Sequence, residues 1–528
     1  MFPKLNRINI GAATCGMAAG AQYLSQNLAE RDWDNKATVV NVGCLGACYA
    51  EPLIDVRTAE GRHYFYGRVD RNSLWTIIKT AADEPSNKNL WAVAQERQTG
   101  LLHEIGDLEL IQIENTGFQE FFQPQMRRIT GRCGFLSPFS INEYVALDGY
   151  RALEKVPFNI TPEKIIETIT VGGLRGRGGA GFPTGAKMKI VAESPDPVRF
   201  IIANADEGDL GAYMDRALLE SDPHAILEGL IIAAYAIGAP QGYIFIRHEY
   251  PLANIPWIIR HGADAFRSVG TTQSPGTKIF CLAGDVERMG VIEVPLGANS
   301  NDVVERIGGT EEQSVKALHI GGPSGGIVAY KSFAMDYESV SETGAIMGSG
   351  GLVALGKNRC IVDIARHMVN FLVNESCGKC LFCRDGLPEL ESLLIDLCLG
   401  QAGSDSIKEI GELSRAISDL SLCGLGQTAA HPVITSLKDF LPEYEAHIKG
   451  CCPTVNCKPL IDFEINLTSC RDCRACFLVC PSDAVKMRVG EKCYLVDQQR
   501  CIKCWACYET CPFDCIRITS EEFTWMQG

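Results

Sequence analysis

Two runs of cysteine near the C-terminal end carry the clearest chemistry in this 528-residue chain. Cys470-x2-Cys473-x2-Cys476-x3-Cys480-Pro481 is followed, at an offset of 31 residues, by Cys501-x2-Cys504-x2-Cys507-x3-Cys511-Pro512. Three thiolates at that spacing wrap one iron–sulfur cubane within a single tight loop, while the fourth reaches across to a second cubane. The expected ligand sets are Cys470, Cys473, Cys476 and Cys511 for one [4Fe–4S] cluster, and Cys501, Cys504, Cys507 and Cys480 for the other. A pair of zinc knuckles is the competing reading, but zinc sites rarely use a doubled four-cysteine run. Cys493 and Cys515 fit no ligand slot and are expected to pack as small apolar side chains.

A third block, Glu375-Ser376-Cys377-Gly378-Lys379-Cys380-Leu381-Phe382-Cys383-Arg384-Asp385-Gly386, offers three more thiolates at the same spacing. Ser421-Leu422-Cys423-Gly424 supplies a fourth some forty residues on. The stretch between, Leu387 to Leu420, reads as two amphipathic helices, and a helical hairpin would return Cys423 to Cys377, Cys380 and Cys383. Lys379 and Arg384 would place positive charge by this third cubane and raise its potential; a structural zinc is the alternative. His447 followed by Cys451, Cys452 and Cys457 suggests a small zinc site or a steadied hinge, with Cys360 a candidate fourth ligand. His224 and His431, each beside a proline, are expected to make local hydrogen bonds rather than bind metal.

Composition agrees with metal chemistry. Of 24 cysteines, 19 lie between Cys360 and Cys515, a concentration that neither a disulfide framework nor random scatter would give. The net charge of −15 leaves no basic footprint for nucleic acid or an anionic membrane. The longest apolar run, Ala225 to Ala239, contains Glu228 and is too short for a bilayer. MFPKLNRINI lacks the apolar core of a signal peptide, so a cytoplasmic protein with reduced thiols is expected.

In the middle, Val171-Gly172-Gly173-Leu174-Arg175-Gly176-Arg177-Gly178-Gly179-Ala180-Gly181-Phe182-Pro183-Thr184-Gly185 is a glycine-rich loop ahead of Lys187. Such a loop can present N–H groups to a phosphate, although more often it is only a turn. It precedes Ile201-Ile202-Ala203-Asn204-Ala205-Asp206-Glu207-Gly208, an apolar strand ending in amide and acidic groups, where open α/β sheets bind ligands. Loop, strand and the SCGKCLFCRDG…SLCGLG cysteines together resemble the NADH-oxidising flavoprotein subunit of respiratory complex I. With the fused two-cluster ferredoxin tail, the chain resembles the beta subunits of soluble NADH-linked and electron-bifurcating complexes. The resemblance implies that Gly176, Arg177, Gly178, Gly179 and Gly181 with Lys187 hold the phosphate of FMN and neighbouring groups. It implies that Asn204 and Asp206 contact the flavin, and that Phe182 and Glu207 face the nicotinamide nucleotide. FMN would take hydride from NADH and feed single electrons to the cubane at Cys377.

Members of that family carry several dozen residues after the segment equivalent to Glu249-Tyr250-Pro251-Leu252-Ala253, with two motifs that complete the pocket. Here Ala253 runs directly into Asn254-Ile255-Pro256-Trp257. Leu210 and Met188 also replace a usual proline and a usual aromatic. Two readings follow: a subunit that keeps the wire and scaffold without the flavin pocket, or a sequence from which this stretch is missing.

At the other end, Gly11-Ala12-Ala13-Thr14-Cys15-Gly16 and Gly43-Cys44-Leu45-Gly46-Ala47-Cys48 resemble a thioredoxin-like [2Fe–2S] ferredoxin unit. That unit uses four cysteines. Aligned on Thr14, its two first-loop positions fall on Gly11 and Gly16, with Cys15 between them. A cluster on Cys15, Cys44 and Cys48 would need a fourth ligand from a non-cysteine group or another chain; a cluster-free docking domain is the alternative.

The architecture expected is α/β multidomain. It comprises a thioredoxin-like N-terminal domain (1–85, strands Arg7–Gly11, Ala37–Val42 and Leu53–Arg57, helix Ala18–Arg31) and an α/β flavoprotein-type body (86–277). A β-grasp-like insert (278–345), a helical [4Fe–4S] domain (346–450), a zinc hinge (451–460) and a two-cluster ferredoxin domain (461–528) follow. The expected partners are other members of a multisubunit redox complex: ferredoxin, or a catalytic reductase- or hydrogenase-type subunit.

Overall fold

The computed structural model describes residues 5–29, 37–80, 89–97, 108–178, 181–206, 211–247, 254–487 and 494–520. The chain divides into two compact units, one of Met1–Gly322 with Tyr330–Leu355 and one of Pro323–Ala329 with Gly356–Gly528.

The first unit begins with six strands: β1 (Leu5–Gly11), β2 (Thr38–Val42), β3 (Ile54–Thr58), β4 (Arg62–Tyr66), β5 (Leu90–Glu96) and β6 (Leu108–Ile113). Their order is β2-β1-β3-β4-β5-β6, with β1 parallel to β2 and antiparallel to β3. Ile8, Ile10, Val56, Tyr64 and Tyr66 form a core with Leu24, Leu28, Leu74, Ile77 and Ile78 of the covering helices. The helix expected from Ala18 is two, Thr14–Ala19 and Ala21–Ala29, because Gly20 at φ 109° ends the first. The sheet also runs past residue 85, through β5 and β6.

Next comes a helical and α/β region whose helix ends are set by local chemistry. Thr161 caps Pro162–Gly172 by accepting from the Lys164 N–H, and Gly173 in the left-handed region stops it. Asp222, Pro223 and Gly238 do the same for Pro223–Ile237. Glu228, fully buried in that helix, accepts from Tyr144 Oη at 2.6 Å and from the N–H groups of Tyr150, Ala152 and Leu153, so it satisfies the start of helix Arg151–Asn159. Strands β7 (Phe200–Asp206) and β8 (Gln241–Arg247) run parallel as a two-stranded sheet. Strands Thr277–Gly284, Gly290–Pro295, Val315–Ile320 and Gly351–Gly356 then form a mixed sheet, with the last of them parallel to the first.

In the second unit, Ile361–Glu375, Gly386–Leu399, Ser406–Leu420 and His431–Ile448 form a helical bundle. Leu387, Leu390, Leu394 and Leu397 make one buried stripe, and Ile410, Ser414 and Ile417 another, which produces the expected hairpin. Thr435 Oγ1 and Asp439 on the last helix accept from the N–H groups of Ile327 and Ala329 in the short strand Gly326–Ala329. Two small antiparallel pairs, Asp462–Ile465 with Ile516–Thr519 and Val485–Met487 with Tyr494–Val496, frame the ferredoxin region. Among the described residues no helix is long and apolar enough to cross a membrane.

A buried charge cluster makes the N-terminal sheet sensitive to pH. His63 Nδ1 lies 2.9 Å from Asp55 and Nε2 lies 3.2 Å from Glu96, which also takes Arg57 at 2.6 Å. Burial opposes the imidazolium, but the Asp55 charge and the hydrogen bonds of Asp55 and Glu96 outweigh it and raise the pKa to about 9. A raised folded-state pKa gives stability that is full below pH 6.5 and lost as pH rises through 9. The stability difference between wild type and His63→Gln should therefore shrink over that window in urea titrations. A difference constant from pH 6 to 10 would contradict the pairing.

Candidate functional site

The ferredoxin region shows how the doubled cysteine run is folded. Asp472, Arg474 and Asp483 sit at positive φ, and so do Lys503, Trp505 and Asp514, the same positions one repeat later. These turns lead into the short helices Ala475–Val479 and Ala506–Thr510. They turn backbone N–H groups inward: Ala484 N–H donates to Cys480 Sγ at 3.2 Å. Burial opposes the Cys511 thiolate, but the N–H groups of Cys515, Phe513 and Ile516 outweigh it and hold its pKa below the ordinary range. Cys480 is lowered in the same way, against burial, by Val485, Ser482 and Ala484. Cys515 packs in the apolar core as expected, lies 3.3 Å from Cys511 and also hydrogen-bonds Cys470. The Cys511 end of one repeat thus reaches the Cys470 loop of the other. Cys493 lies outside the described residues.

At the third block, Cys383 is buried, Cys380 half-buried, and Cys377 and Cys423 exposed. Ser376 Oγ lies 3.2 Å from Cys383 Sγ and accepts from the Gly378 N–H. The hairpin brings the turn after Cys423 back to this loop, since a Cβ on Gly426 would stand 3.5 Å from that of Cys383. Arg384 is paired with Asp385 at 2.9 Å, so its charge is partly neutralised and the expected rise in potential is left to Lys379.

Cys360, His447, Cys452 and Cys457 converge with all four ligand atoms within 4.8 Å and all four residues buried. His447 Nε2 is 3.4 Å from both Cys360 Sγ and Cys457 Sγ, and those sulfurs are 3.6 Å apart. Ligands of a tetrahedral zinc stand about 3.5–3.8 Å apart. His447 Nδ1 donates to the Glu443 carbonyl at 2.6 Å, which turns Nε2 toward the thiols. Hydrogen bonds from Cys360 and Cys457 hold the Cys452 thiol below its ordinary range, while hydrogen bonding to Cys360, Cys398 and Cys452 pushes Cys457 up. Cys451 is buried outside this group, whereas Cys398, which has no ligand spacing in the sequence, hydrogen-bonds Cys457. His224 takes the expected local partner, Tyr150 Oη at 2.9 Å; His431 does not, its Nδ1 being buried without one.

The glycine loop lies in the first unit. Gly176 donates to Phe182 O and accepts from Tyr337 Oη, and Arg175 reaches Gly181 O and Glu338. Arg177 is buried against Pro275 O, and Lys278 Nζ donates to Arg177 O at 2.7 Å. Phe182 is exposed, with Lys187 Nζ 5.9 Å from its ring, and helix Thr184–Ala192 starts directly after the loop. Gly178 is exposed and Asn204 lies on β7, whereas Gly179, the Asp206 side chain and Glu207 lie outside the described residues. A glycine turn therefore leads into a helix N-terminus, an arrangement able to receive a phosphate. The cavity bordered by Arg177, Lys278, Asn254 and Ser349 is about 20 Å³, room for one water. Strands β7 and β8 expose Phe200, Ile202, Tyr243 and Phe245.

Comparison with known proteins places these features. Residues 169–257 match the Nuo51 FMN-binding domain, 363–447 the NADH-ubiquinone oxidoreductase-F iron-sulfur binding region, and 462–512 a 4Fe-4S dicluster domain. The chain belongs to the family of NADH-oxidising FMN and iron–sulfur subunits, in which electrons pass from NADH through FMN to iron–sulfur clusters. It is 36% identical over 450 residues to the NADP-reducing hydrogenase subunit HndC of Solidesulfovibrio fructosivorans, covering 68% of this chain and 91% of that one. It is 30% identical over 397 residues to an NADH-quinone oxidoreductase subunit of Rhizobium meliloti, covering 58% and 94%. In fold it is similar to a chain of an NAD+-reducing [NiFe]-hydrogenase, with TM-score 0.52, 22% identity and 85% of each chain covered.

Those spans also measure the gap. The 450-residue match takes in 68% of 528 residues, about 360, so about 90 positions of HndC have no counterpart here. The Rhizobium match gives the same shortfall, about 90.

Metal analysis checks the four-ligand site. The purified protein should hold about one zinc per chain, and Cys360→Ala and His447→Ala should each lose it while cubane iron is retained. Zinc content unchanged in both variants would show that the site is not a metal site.

Proposed function

We propose that this chain is the NADH-facing electron-transfer subunit of a cytoplasmic multisubunit oxidoreductase, and that its three [4Fe–4S] clusters hand electrons to a hydrogenase-type, reductase-type or ferredoxin partner. The observation that carries this reading is the order of parts: FMN-domain match, four-cysteine helical region and paired ferredoxin loops, in one chain and in the family's sequence. The cubane ligands are Cys377, Cys380, Cys383 and Cys423; Cys470, Cys473, Cys476 and Cys511; and Cys501, Cys504, Cys507 and Cys480. The contact of Cys515 with both Cys470 and Cys511 supports the crossed pairing. The buried Cys360, His447, Cys452 and Cys457 set suits a structural zinc that fixes the link between the helical bundle and the ferredoxin region.

FMN, where bound, supplies the conversion of a two-electron hydride into single electrons. Gly176 to Gly181 and Lys187 would bind its phosphate, Asn204 and Asp206 its ring system, and Phe182 and Glu207 the nucleotide. A second reading is a flavin-free relay, favoured by the shortfall of about 90 residues and the uncovered faces of β7 and β8.

Loading the full chain with iron and sulfide, with and without the corresponding HndC segment restored between Ala253 and Asn254, tests both. The restored chain should release about one FMN on denaturation, and NADH should bleach its clusters. The chain as it stands should be bleached by reduced viologen but not by NADH. A restored chain without flavin or NADH response would overturn the first reading and leave the relay. Stoichiometric FMN and NADH bleaching in the unrestored chain would overturn the relay.

A further inference from the structure

The N-terminal cysteines form a group that three ligands do not complete. Cys48 lies between the other two: its Sγ is 4.0 Å from Cys44 Sγ, and it hydrogen-bonds Cys15 as well. Gly46 N–H donates to Cys44 Sγ at 3.2 Å, and Cys44 N–H donates to Ser221 Oγ at 2.8 Å, so the second loop is fixed on both sides. The two positions at which a four-cysteine unit would carry its first-loop ligands are Gly11 and Gly16. Gly16 is pressed onto the Gly11 carbonyl, which occupies the place its Cβ would need, so no thiol fits at that position.

The space beside those glycines is filled by Glu51. Its carboxylate oxygens lie 3.1 and 3.2 Å from the Cβ position of Gly11, and Oε2 lies 3.1 Å from that of Gly16, the residue after Cys15. Glu51 is 8% exposed. Oε2 accepts from the Leu53 N–H at 2.8 Å, while Oε1 is buried with no hydrogen-bond partner. A buried carboxylate oxygen left without a partner is destabilising, a penalty that a metal ion would remove.

We propose that Glu51 is the fourth ligand of a two-iron, two-sulfide cluster whose other ligands are Cys15, Cys44 and Cys48. The carboxylate takes the place that a first-loop cysteine has in the four-cysteine unit. The arrangement favours two metals over one. Among the described residues, only the set at His447 gathers its donors as closely as a single tetrahedral ion needs. Here the thiols form a chain with Cys48 in the middle, and Glu51 stands at the Cys15 end. Cys44 and Cys48 are spaced for one iron, with Cys15 and Glu51 left for the other. Three thiolates and one carboxylate suit iron, which accepts both sulfur and oxygen donors.

The test uses the full chain, reconstituted with iron and sulfide, with EPR of the reduced protein recorded at temperatures where cubane signals are broadened away. Wild type should show a two-iron signal, and Glu51→Gln should reduce it at least tenfold, with about two irons fewer per chain. Glu51→Cys should restore the signal with a shifted reduction potential, which a merely structural role of Glu51 would not produce. Far-UV circular dichroism confirms that each variant is folded. If Glu51→Gln does not fold, Glu51→Cys decides: a two-iron signal with shifted g-values and potential supports the ligand role. Wild type without the signal, Glu51→Gln with an undiminished one, or Glu51→Cys with wild-type g-values and potential would overturn the proposal.

Discussion

A cubane can be held by a short loop only where the backbone bends tightly enough for cysteines three residues apart to face one point, with N–H groups turned toward the sulfurs. That bend requires left-handed backbone, and here non-glycine residues supply it. Asp472, Arg474, Lys503 and Trp505 all take positive φ at matching positions. Each such residue carries a strain of about 1 kcal/mol or more. The strain is sustained because the loops sit on a core of Ile461, Phe463, Val485, Tyr494 and Ile516 and because N–H groups stabilise the Cys480 and Cys511 thiolates. The rest of the second unit adds a helical hairpin that brings the turn after Cys423 to Cys383, and a buried histidine–cysteine group at the end of the last helix.

The proposed cubane cysteines are legible in the sequence because iron–sulfur loops are largely local. Spacing within ten residues picks out three or four of them at a time, and proline ends the two ferredoxin runs; Cys423, forty residues from Cys383, is the exception. The group at His447 is only partly legible. His447, Cys452 and Cys457 are neighbours in sequence, but Cys360 lies 87 residues from His447 and arrives by the packing of two helices. Cys398, beside it, gives no sequence signal at all. Strand β5 escapes a pattern search for a different reason. Leu90 to Ala94 are buried on both faces, so the alternation that reveals a half-exposed strand is absent. Glu51 cannot be singled out from sequence because its meaning depends on the space beside Gly11 and Gly16, which only the folded loop defines.

The glycine loop, its helix and the first two parallel strands are formed, and Glu228 and Asp222 organise the helices behind them. Strands β7 and β8 expose an apolar surface of Phe200, Ile202, Tyr243 and Phe245. The glycine loop and the exposed strands β7 and β8 both belong to the first unit. The cluster-bearing unit depends on neither.

Three cubanes and one non-iron metal site are proposed for the second unit, and Mössbauer spectroscopy of the full chain reconstituted with 57Fe distinguishes them. The spectrum should show about twelve irons per chain in [4Fe–4S] form, resolved from any two-iron component, with zinc present alongside. Eight or fewer cubane irons, or zinc in place of iron at the paired ferredoxin loops, would contradict this assignment.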